Sequence, residues 1–486
     1  MELVMKKTKE KTMLAIFAIG FTALCGCSDT HKTVSTEELQ CKTTESVTEA
    51  SATSEYTDEE IAQMQSDVIQ AFQSLKDEFG DEEQIQNFSE YLIENYDPAR
   101  IAQVADEWHT QLINNGTEDS ADENAYHELS QNLYKETGKS LYVLWNEFQG
   151  ILEDETVANA HNIYFKEAEE SEIQISFAGD ICLTEDGFVI DHYDEVNGDL
   201  SQCISDDIEN VTKNADIFML NHEYPASERG TALAGKYYTF RAEPQREEIL
   251  KELGTDIVSL ANNHIYDYGA DALMDTFQCL RDENIPYVGA GADMEEAKKP
   301  VYFIIYGMKI GFVAANRSEK IIYTPEAGEN TPGVVRMYDT AMMDEIISEA
   351  SKECDYLIAY LHWGTEDSPY YEEYQRNIAK EFIGQGADAI IGGHPHVLQG
   401  VEYIEGKPVV YSLGDFWFNS ETKYTTVLNL KVDMEGLKEM SLLPCRQENY
   451  TTHMLYGEEA SQFYDYMREL SPNAGIDSAG VVSPAE

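Results

Sequence analysis

Two rhythms divide the chain. From Thr57 to about Phe165 apolar residues recur at three and four, as in IAQMQSDVIQAFQSL (61–75) and SLYVLWNEFQGIL (140–152), which predicts a small all-α domain over 57–165. From about Ser171 short β-rich runs alternate with amphipathic helices. EIQISFAGD (172–180), ADIFMLNHE (215–223), TDIVSLANNH (255–264), DYLIAYLHWG (355–364) and ADAIIGGHPH (387–396) read as strands. GADALMDTFQCLRDEN (269–284) and RNIAKEFIGQG (376–386) read as helices, and 299–316 and 401–416 as hairpins. Strand alternating with helix predicts a layered α/β domain over 171–445. Residues 446–486 read as a tail, with one helix at FYDYMREL (463–470) and a loose end.

Two segments ahead of the helices lack any core-forming pattern. Residues 28–56 are rich in Ser, Thr and Glu and predict a disordered acidic tether. In residues 1–27, Lys6, Lys7, Lys9 and Lys11 precede the apolar run Met13 to Leu24, too short to span a bilayer but suited to a signal peptide. Leu24-Cys25-Gly26-Cys27 resembles a bacterial lipobox, which predicts cleavage before Cys27 and a lipid on its sulfur; an ordinary signal peptide is the alternative. Either Met1 or Met5 serves as the start. The expected location is outside the cell, lipid-anchored to the outer face of the bacterial membrane.

Composition changes this picture in two respects. The 33 basic against 91 acidic residues, a formal net charge of -58, exclude a nucleic-acid binder that works by neutralising phosphates. Past Cys27 the cysteines, Cys41, Cys182, Cys203, Cys279, Cys354 and Cys445, are scattered without a C-x-x-C pair, so zinc-ribbon and thioredoxin-like chemistry is absent and most read as buried small hydrophobes. At 486 residues and 42% hydrophobic content the chain has room for more than one domain.

Candidate chemistry falls where the strands end. Asp180 follows ISFAG, Asn221 and Glu223 follow IFML, Asn262, Asn263 and His264 follow IVSLA, His362 closes LIAYL, and His394 with His396 follows AIIGG. Ligands in α/β sheets bind outside the carboxyl ends of strands, so these groups should converge on one rim. Carboxylates, imidazoles and an amide oxygen suit one or two divalent ions, with manganese, zinc or iron fitting best. Gly392 and Gly393 are expected to let the backbone turn tightly, and Pro395 to hold His394 and His396 in an extended relation facing one centre. His222, between Asn221 and Glu223, should point to the opposite face. Asp267, Asp415 and Arg241, with Asn221 and Asn262, are candidate supporting or substrate contacts. His109, His127 and His161 stand singly in the helical domain and read as surface or packing residues.

FAGDICL, NHEYPAS, SLANNHIYDYG, HWGTE, GGHPHVLQGVE and YSLGDF, in this order over about 171–420, closely resemble the capsule-synthesis CapA family associated with poly-γ-glutamate production and export, a branch of the calcineurin-like metallophosphoesterases. The resemblance implies a four-layer β-sandwich flanked by helices, with two metals activating a hydroxide for in-line attack on phosphorus. It implies that Asp180 and His396 bind the first metal, that Glu223 bridges, that Asn263, His362 and His394 bind the second, and that His264 is the general acid. Three positions depart from the pattern. Cys182 stands where the superfamily has His, Glu223 where it has Asp, and Asp415 where the CapA pattern has Asn.

Three functions follow as alternatives. The first is an exported metal-dependent hydrolase acting on a cell-surface polymer such as poly-γ-glutamate or on its precursor. The second is a non-catalytic accessory of a membrane-bound polymer synthase, and the third an exported nucleotidase, which the missing Asp-x-His motif disfavours. A polyanionic product would be repelled by the acidic surface unless divalent cations or a local basic patch intervene.

Overall fold

A computed structural model describes residues 56–485 apart from 77, 118–122, 186–188 and 319. Cys27, the run read as a signal peptide and nearly all of the segment read as a tether lie outside the described residues.

The helical segment begins where its capping residues put it. Thr57 and Glu60 close a capping box on Asp58–Ala71, Asp81 and Gln84 another on Glu82–Asn95, and Asp97 caps Pro98–Asn115, where proline in the first turn sacrifices no hydrogen bond. With Glu123–Thr137 and Leu141–Phe148 these helices enclose their own core, in which Phe72 meets Trp108 edge-on at 5.8 Å and Phe88 meets Trp145 at 5.0 Å. Hydrogen bonds fasten the segment to the α/β body: Ser130 Oγ donates to buried Asp355 at 2.7 Å and Gln131 Nε2 to the Met434 carbonyl at 2.8 Å. No helix among the described residues is long and apolar enough to cross a membrane.

Two sheets form the body. One has seven strands, in the order Ile163–Lys166, Val301–Ile305, Met308–Asn316, Tyr356–His362, Ala389–Gly393, Lys407–Val410, Val401–Ile404. The other centres on Lys423–Asp433, Ile173–Ile181, Ile217–His222, Ile257–Ser259 and Tyr287–Val288, the last four mutually parallel. Period-two alternation sorts their side chains. Tyr356, Ile358 and Tyr360 enter the core between the sheets with Ile175, Phe177 and Met219, whereas Leu357, Ala359 and Leu361 face outward. Leu357 and its outward neighbours pack with Ala341–Ala350 and Glu373–Gly384; on the other sheet Phe218 and Leu220 pack with Ala270–Asp282. The result is the expected helix–sheet–sheet–helix sandwich.

Two boundaries differ from expectation. Ile163–Lys166, placed by periodicity in the helical segment, is an edge strand parallel to Val301–Ile305, and four residues are too few to display a period. The boundary at 445 falls inside the strand Gly436–Glu448. Beyond it the segment read as a loose tail forms strands at Thr451–Met454, Ala474–Ile476 and Val481–Pro484 around the helix Gly457–Leu470. Phe463 and Met467 of that helix join the core between the sheets, which a polar flank concealed.

Candidate metal centre

The strand alternation that builds the core also aims the site. On Ile217–His222 the odd residues Ile217 and Met219 face inward, so Asn221 and Glu223 follow them while His222 turns away to meet Glu247 at 3.0 Å. Tyr360 faces inward and so does His362. On Ile173–Ile181 the same count would turn Asp180 outward, but the pairing with Ile217–His222 shifts register between Phe177 and Asp180, and this bulge re-aims the carboxylate into the cluster.

Residues from both sheets then meet. Asn221 Nδ2 donates to Asp180 Oδ1 at 2.8 Å and to Glu223 Oε2 at 3.1 Å; its own oxygen accepts from Asn262 at 3.1 Å. His362 Nε2 lies 2.7 Å from the Asn263 amide oxygen and 3.5 Å from Glu223 Oε1. His396 Nδ1 lies 2.8 Å from Asp415 and 3.5 Å from Asp180. The His394 and His362 ring centres are 4.7 Å apart. Beside this group His264 Nδ1 sits 2.6 Å from Asp267 Oδ2, which also accepts the Phe240 N–H, while Lys236 Nζ holds the other oxygen at 2.7 Å. The contact holds the His264 ring by Nδ1 and leaves Nε2 turned away from Asp267.

This donor set fits a divalent cation. Glu223 with His394 and His396, Asp180 with His396 and Asp415, and Asp180 with Glu223 and His362 each offer ligand atoms within 4.8 Å of one another. Glu223 Oε1 and His394 Nδ1 are buried with no hydrogen-bond partner among the described residues, as atoms reserved for a ligand would be. The electrostatics ask for positive charge. Burial pushes the Glu223 carboxyl up to about 7, and burial with the Glu223 charge pushes Asp180 well above the usual carboxylate range. Burial works to deprotonate His396, but Asp415, Glu223 and Asp180 outweigh it and raise that imidazole to about 10. Burial, reinforced by neighbouring histidines, holds His362 and His394 neutral, the form that binds metal.

The backbone at the two histidines corrects one expectation. His394 and His396 are not extended: their φ values of 93° and 57° lie on the left-handed side, uncommon for any residue with a Cβ. They therefore reach the cluster through a strained turn, which the surrounding contacts hold in place. Gly392 and Gly393 serve close packing instead of the turn. A Cβ on Gly392 would stand 2.1 Å from the Tyr411 carbonyl oxygen, and one on Gly393 2.7 Å from Asp180 Oδ1.

Of the candidate supporting residues, Arg241 stands outside the cluster: its guanidinium lies 4.2 Å above the Tyr268 ring and donates to the Arg229 carbonyl. Cys182 is fully buried, and burial drives its thiol well above the ordinary range, which fits an inert core residue. Sequence reasoning missed Lys236, which clamps Asp267, and Lys423, 3.4 Å from Asp415. It also missed Phe240 and Phe418, whose rings lie 4.1 Å from His264 and 4.8 Å from His396. All four come from segments without a strand-end signal; only the proximity of Lys423 and Phe418 to YSLGDF pointed to them.

Fold and site together define a four-layer α/β sandwich with a carboxylate–imidazole cluster competent for metal at the carboxyl rim of its sheets. The chain belongs to the bacterial capsule synthesis protein family PGA_cap, whose model matches residues 174–420. It is 28% identical over 277 residues to the PGA biosynthesis protein CapA of Bacillus subtilis, covering 56% of this chain and 71% of that protein. To the capsule biosynthesis protein CapA of Bacillus anthracis it is 27% identical, covering 48% and 58%. A Mycobacterium tuberculosis protein named "Probable polyglutamine synthesis accessory protein" is 29% identical, covering 41% and 55%. Among solved structures, a hypothetical protein from Thermus thermophilus aligns at TM-score 0.37 and 14% identity, covering 57% of this chain and 100% of that one. A 5'-nucleotidase from Candida albicans aligns at 0.31 and 12%, covering 57% and 53%. At these scores the structural likenesses carry no argument.

Proposed function

We propose that this protein acts in the synthesis, release or export of an acidic cell-surface polymer of the poly-γ-glutamate kind, as an exported, lipid-anchored, metal-dependent hydrolase. The observation that carries the reading is the meeting of Asp180, Glu223, His362, His394 and His396 from two sheets, with Glu223 Oε1 and His394 Nδ1 buried and without a hydrogen-bond partner among the described residues. Asp180, Glu223, Asn263, His362, His394 and His396 would hold one or two divalent ions. A divalent ion bound there supplies Lewis acidity toward the scissile group and toward water.

The chain's own residues supply the rest. Asn221, through its bonds to Asp180 and Glu223, orients both carboxylates. Asp267, itself clamped by Lys236, holds the His264 ring by Nδ1 in position to act as the proton donor. Phe240 packs on His264, Phe418 on His396, and the two phenyl rings meet edge-on at 5.5 Å, giving the space between the histidines an apolar wall.

The test is hydrolysis of phosphoester and γ-glutamyl substrates by the metal-loaded full-length protein. His264→Ala should keep the metal and lose about 10² to 10⁴ in rate. Unchanged turnover in that variant would end the catalytic reading. A second reading, a non-catalytic accessory of a polymer synthase, draws on the accessory role in the name of the Mycobacterium tuberculosis relative. Full polymer production by His264→Ala cells, with loss on deleting residues 58–160, would select it.

A further inference from the structure

The seam between the helical segment and the seven-stranded sheet holds a cavity of about 330 Å³. On Met308–Asn316 the residues Met308, Ile310 and Phe312 enter the core between the sheets, so Lys309 turns to the outer face. There the helix Leu141–Phe148 covers the sheet, its Val143 packed in one cluster with Tyr302 and Val313. Lys309 and Tyr302 line the cavity from the sheet, and Phe79, Tyr142, Trp145 and Asn146 from the helical segment. Clefts at such junctions are common ligand sites.

Two buried polar groups in this seam are left unsatisfied. The Lys309 side chain is 2% exposed, its ammonium makes no hydrogen bond among the described residues, and its ion-pair partner Glu353, at 3.9 Å, stands beyond hydrogen-bond distance. Asn146 is 8% exposed, and neither end of its amide is hydrogen-bonded among the described residues. Burying such groups without partners costs stability that apolar residues of the same size would not, and a bound ligand that satisfies both would offset the cost.

Net charge does not choose that ligand, because Lys309 and Lys352 stand against Glu353 and Glu78. The unsatisfied groups do. An ammonium with open donors takes a carboxylate. A carboxamide presents a donor and an acceptor whichever way it is turned, and a peptide group is its complement. Phe79 and Trp145, whose rings meet edge-on at 5.6 Å, supply a wall for an apolar side chain.

We infer that this cavity binds an N-acylated apolar amino acid, free or as the carboxyl-terminal residue of a peptide, with its carboxylate on Lys309 and its amide on Asn146. The site stands apart from the metal cluster and does not depend on what that cluster does.

Calorimetric titration of the full-length protein in detergent with N-acetylphenylalanine, with hydrocinnamate, which lacks the amide, and with γ-glutamylglutamate tests it. N-acetylphenylalanine should bind saturably and about tenfold tighter than hydrocinnamate. Lys309→Met, which removes a buried charge and so keeps the fold, should weaken that binding about tenfold or more. Asn146→Leu should abolish the preference over hydrocinnamate. Alanyl-alanyl-phenylalanine separates the two sources: tighter binding than N-acetylphenylalanine supports the site as one for a peptide end, weaker binding as one for the free N-acyl amino acid. No saturable binding to wild type, wild-type strength in Lys309→Met, equal binding of hydrocinnamate, or tighter binding of γ-glutamylglutamate would each overturn the assignment. Coordination of the carboxylate at the metal cluster would survive in Lys309→Met, and so counts against the cavity.

Discussion

Asp180, carried by one sheet, accepts the backbone N–H of His394, carried by the other, at 3.2 Å. One carboxylate thus serves both as a candidate ligand and as the clasp on a left-handed histidine. Gly393 makes the approach possible, because an added Cβ would stand 2.7 Å from Asp180 Oδ1. Gly393→Ala should therefore push the carboxylate aside, lowering metal content severalfold while the protein still folds. Gly392→Ala should behave differently, since its Cβ would meet a carbonyl oxygen that cannot swing away. Soluble yield and circular dichroism should show loss of the fold there. Equal metal content in wild type and Gly393→Ala would contradict the assigned geometry.

Metal content of the purified protein tests the cluster directly. Elemental analysis should find roughly one to two divalent transition ions per chain. His394→Ala/His396→Ala removes members of two of the three ligand groups and should cut that number sharply. A wild-type chain that stays metal-free after reloading would sink the site.

The acidity of the cluster predicts a pH dependence with a definite sign. Glu223 is raised from 4.5 to about 7 and His396 from 6.5 to about 10. A raised group binds its proton more tightly in the fold, so its stabilisation is full below the ordinary value and is lost as pH rises through the raised one. Metal-stripped protein should accordingly melt at lower temperature near pH 9 than near pH 6. Added metal should restore more stability at the higher pH, where fewer protons compete. Glu223→Gln should flatten the metal-free profile through its lower half. A metal-free profile that climbs between those values would refute the electrostatic account.

What the sequence made legible followed from strand parity and strand ends. Asn221, Glu223, His222 and His362 lie on the faces that counting by two assigns them, because a flat run of paired residues preserves its alternation. Asp180 reaches the site only through a bulge, a feature of pairing between strands that no single run reveals. Pro395 suggested an extended link between its histidines, yet φ at both is set by contacts to the other sheet, through Asp180 and Asp415. Lys236 clamps Asp267 from a loop that lies 31 positions earlier in the chain, a separation at which local pattern has nothing to say. The tail was misread for a related reason. Its helix Gly457–Leu470 is amphipathic, but which core it closes depends on the strand Gly436–Glu448 running on past the expected boundary.

The lipid anchor at Cys27 is tested by fractionation. Leu24-Cys25-Gly26-Cys27 follows an apolar run of signal-peptide length, so Cys27→Ala should release the protein from the membrane fraction or leave it unprocessed. A variant that fractionates and migrates like wild type would exclude lipidation there.

Lys309 offers a prediction about stability away from the metal cluster. Its side chain is 2% exposed, its Nζ lies 4.1 Å from the centre of the Tyr302 ring, and its ion-pair partner Glu353, at 3.9 Å, is itself 63% exposed. No hydrogen bond to this ammonium group occurs among the described residues, and burial lowers its pKa. A base with a lowered pKa is protonated more readily in the unfolded chain, so it costs stability at neutral pH, and the cost fades as pH rises toward 10.5. Lys309→Met keeps the length and the apolar contact while removing the buried charge. It should raise the unfolding free energy by about 1–2 kcal/mol at neutral pH, net of the lost attraction to Tyr302. The gain should shrink in alkaline solution, where the wild-type lysine is neutral as well. Denaturant melts of the two proteins at neutral and alkaline pH measure both effects. A variant less stable than wild type at neutral pH would show that the Tyr302 ring and Glu353 more than compensate the burial of Lys309.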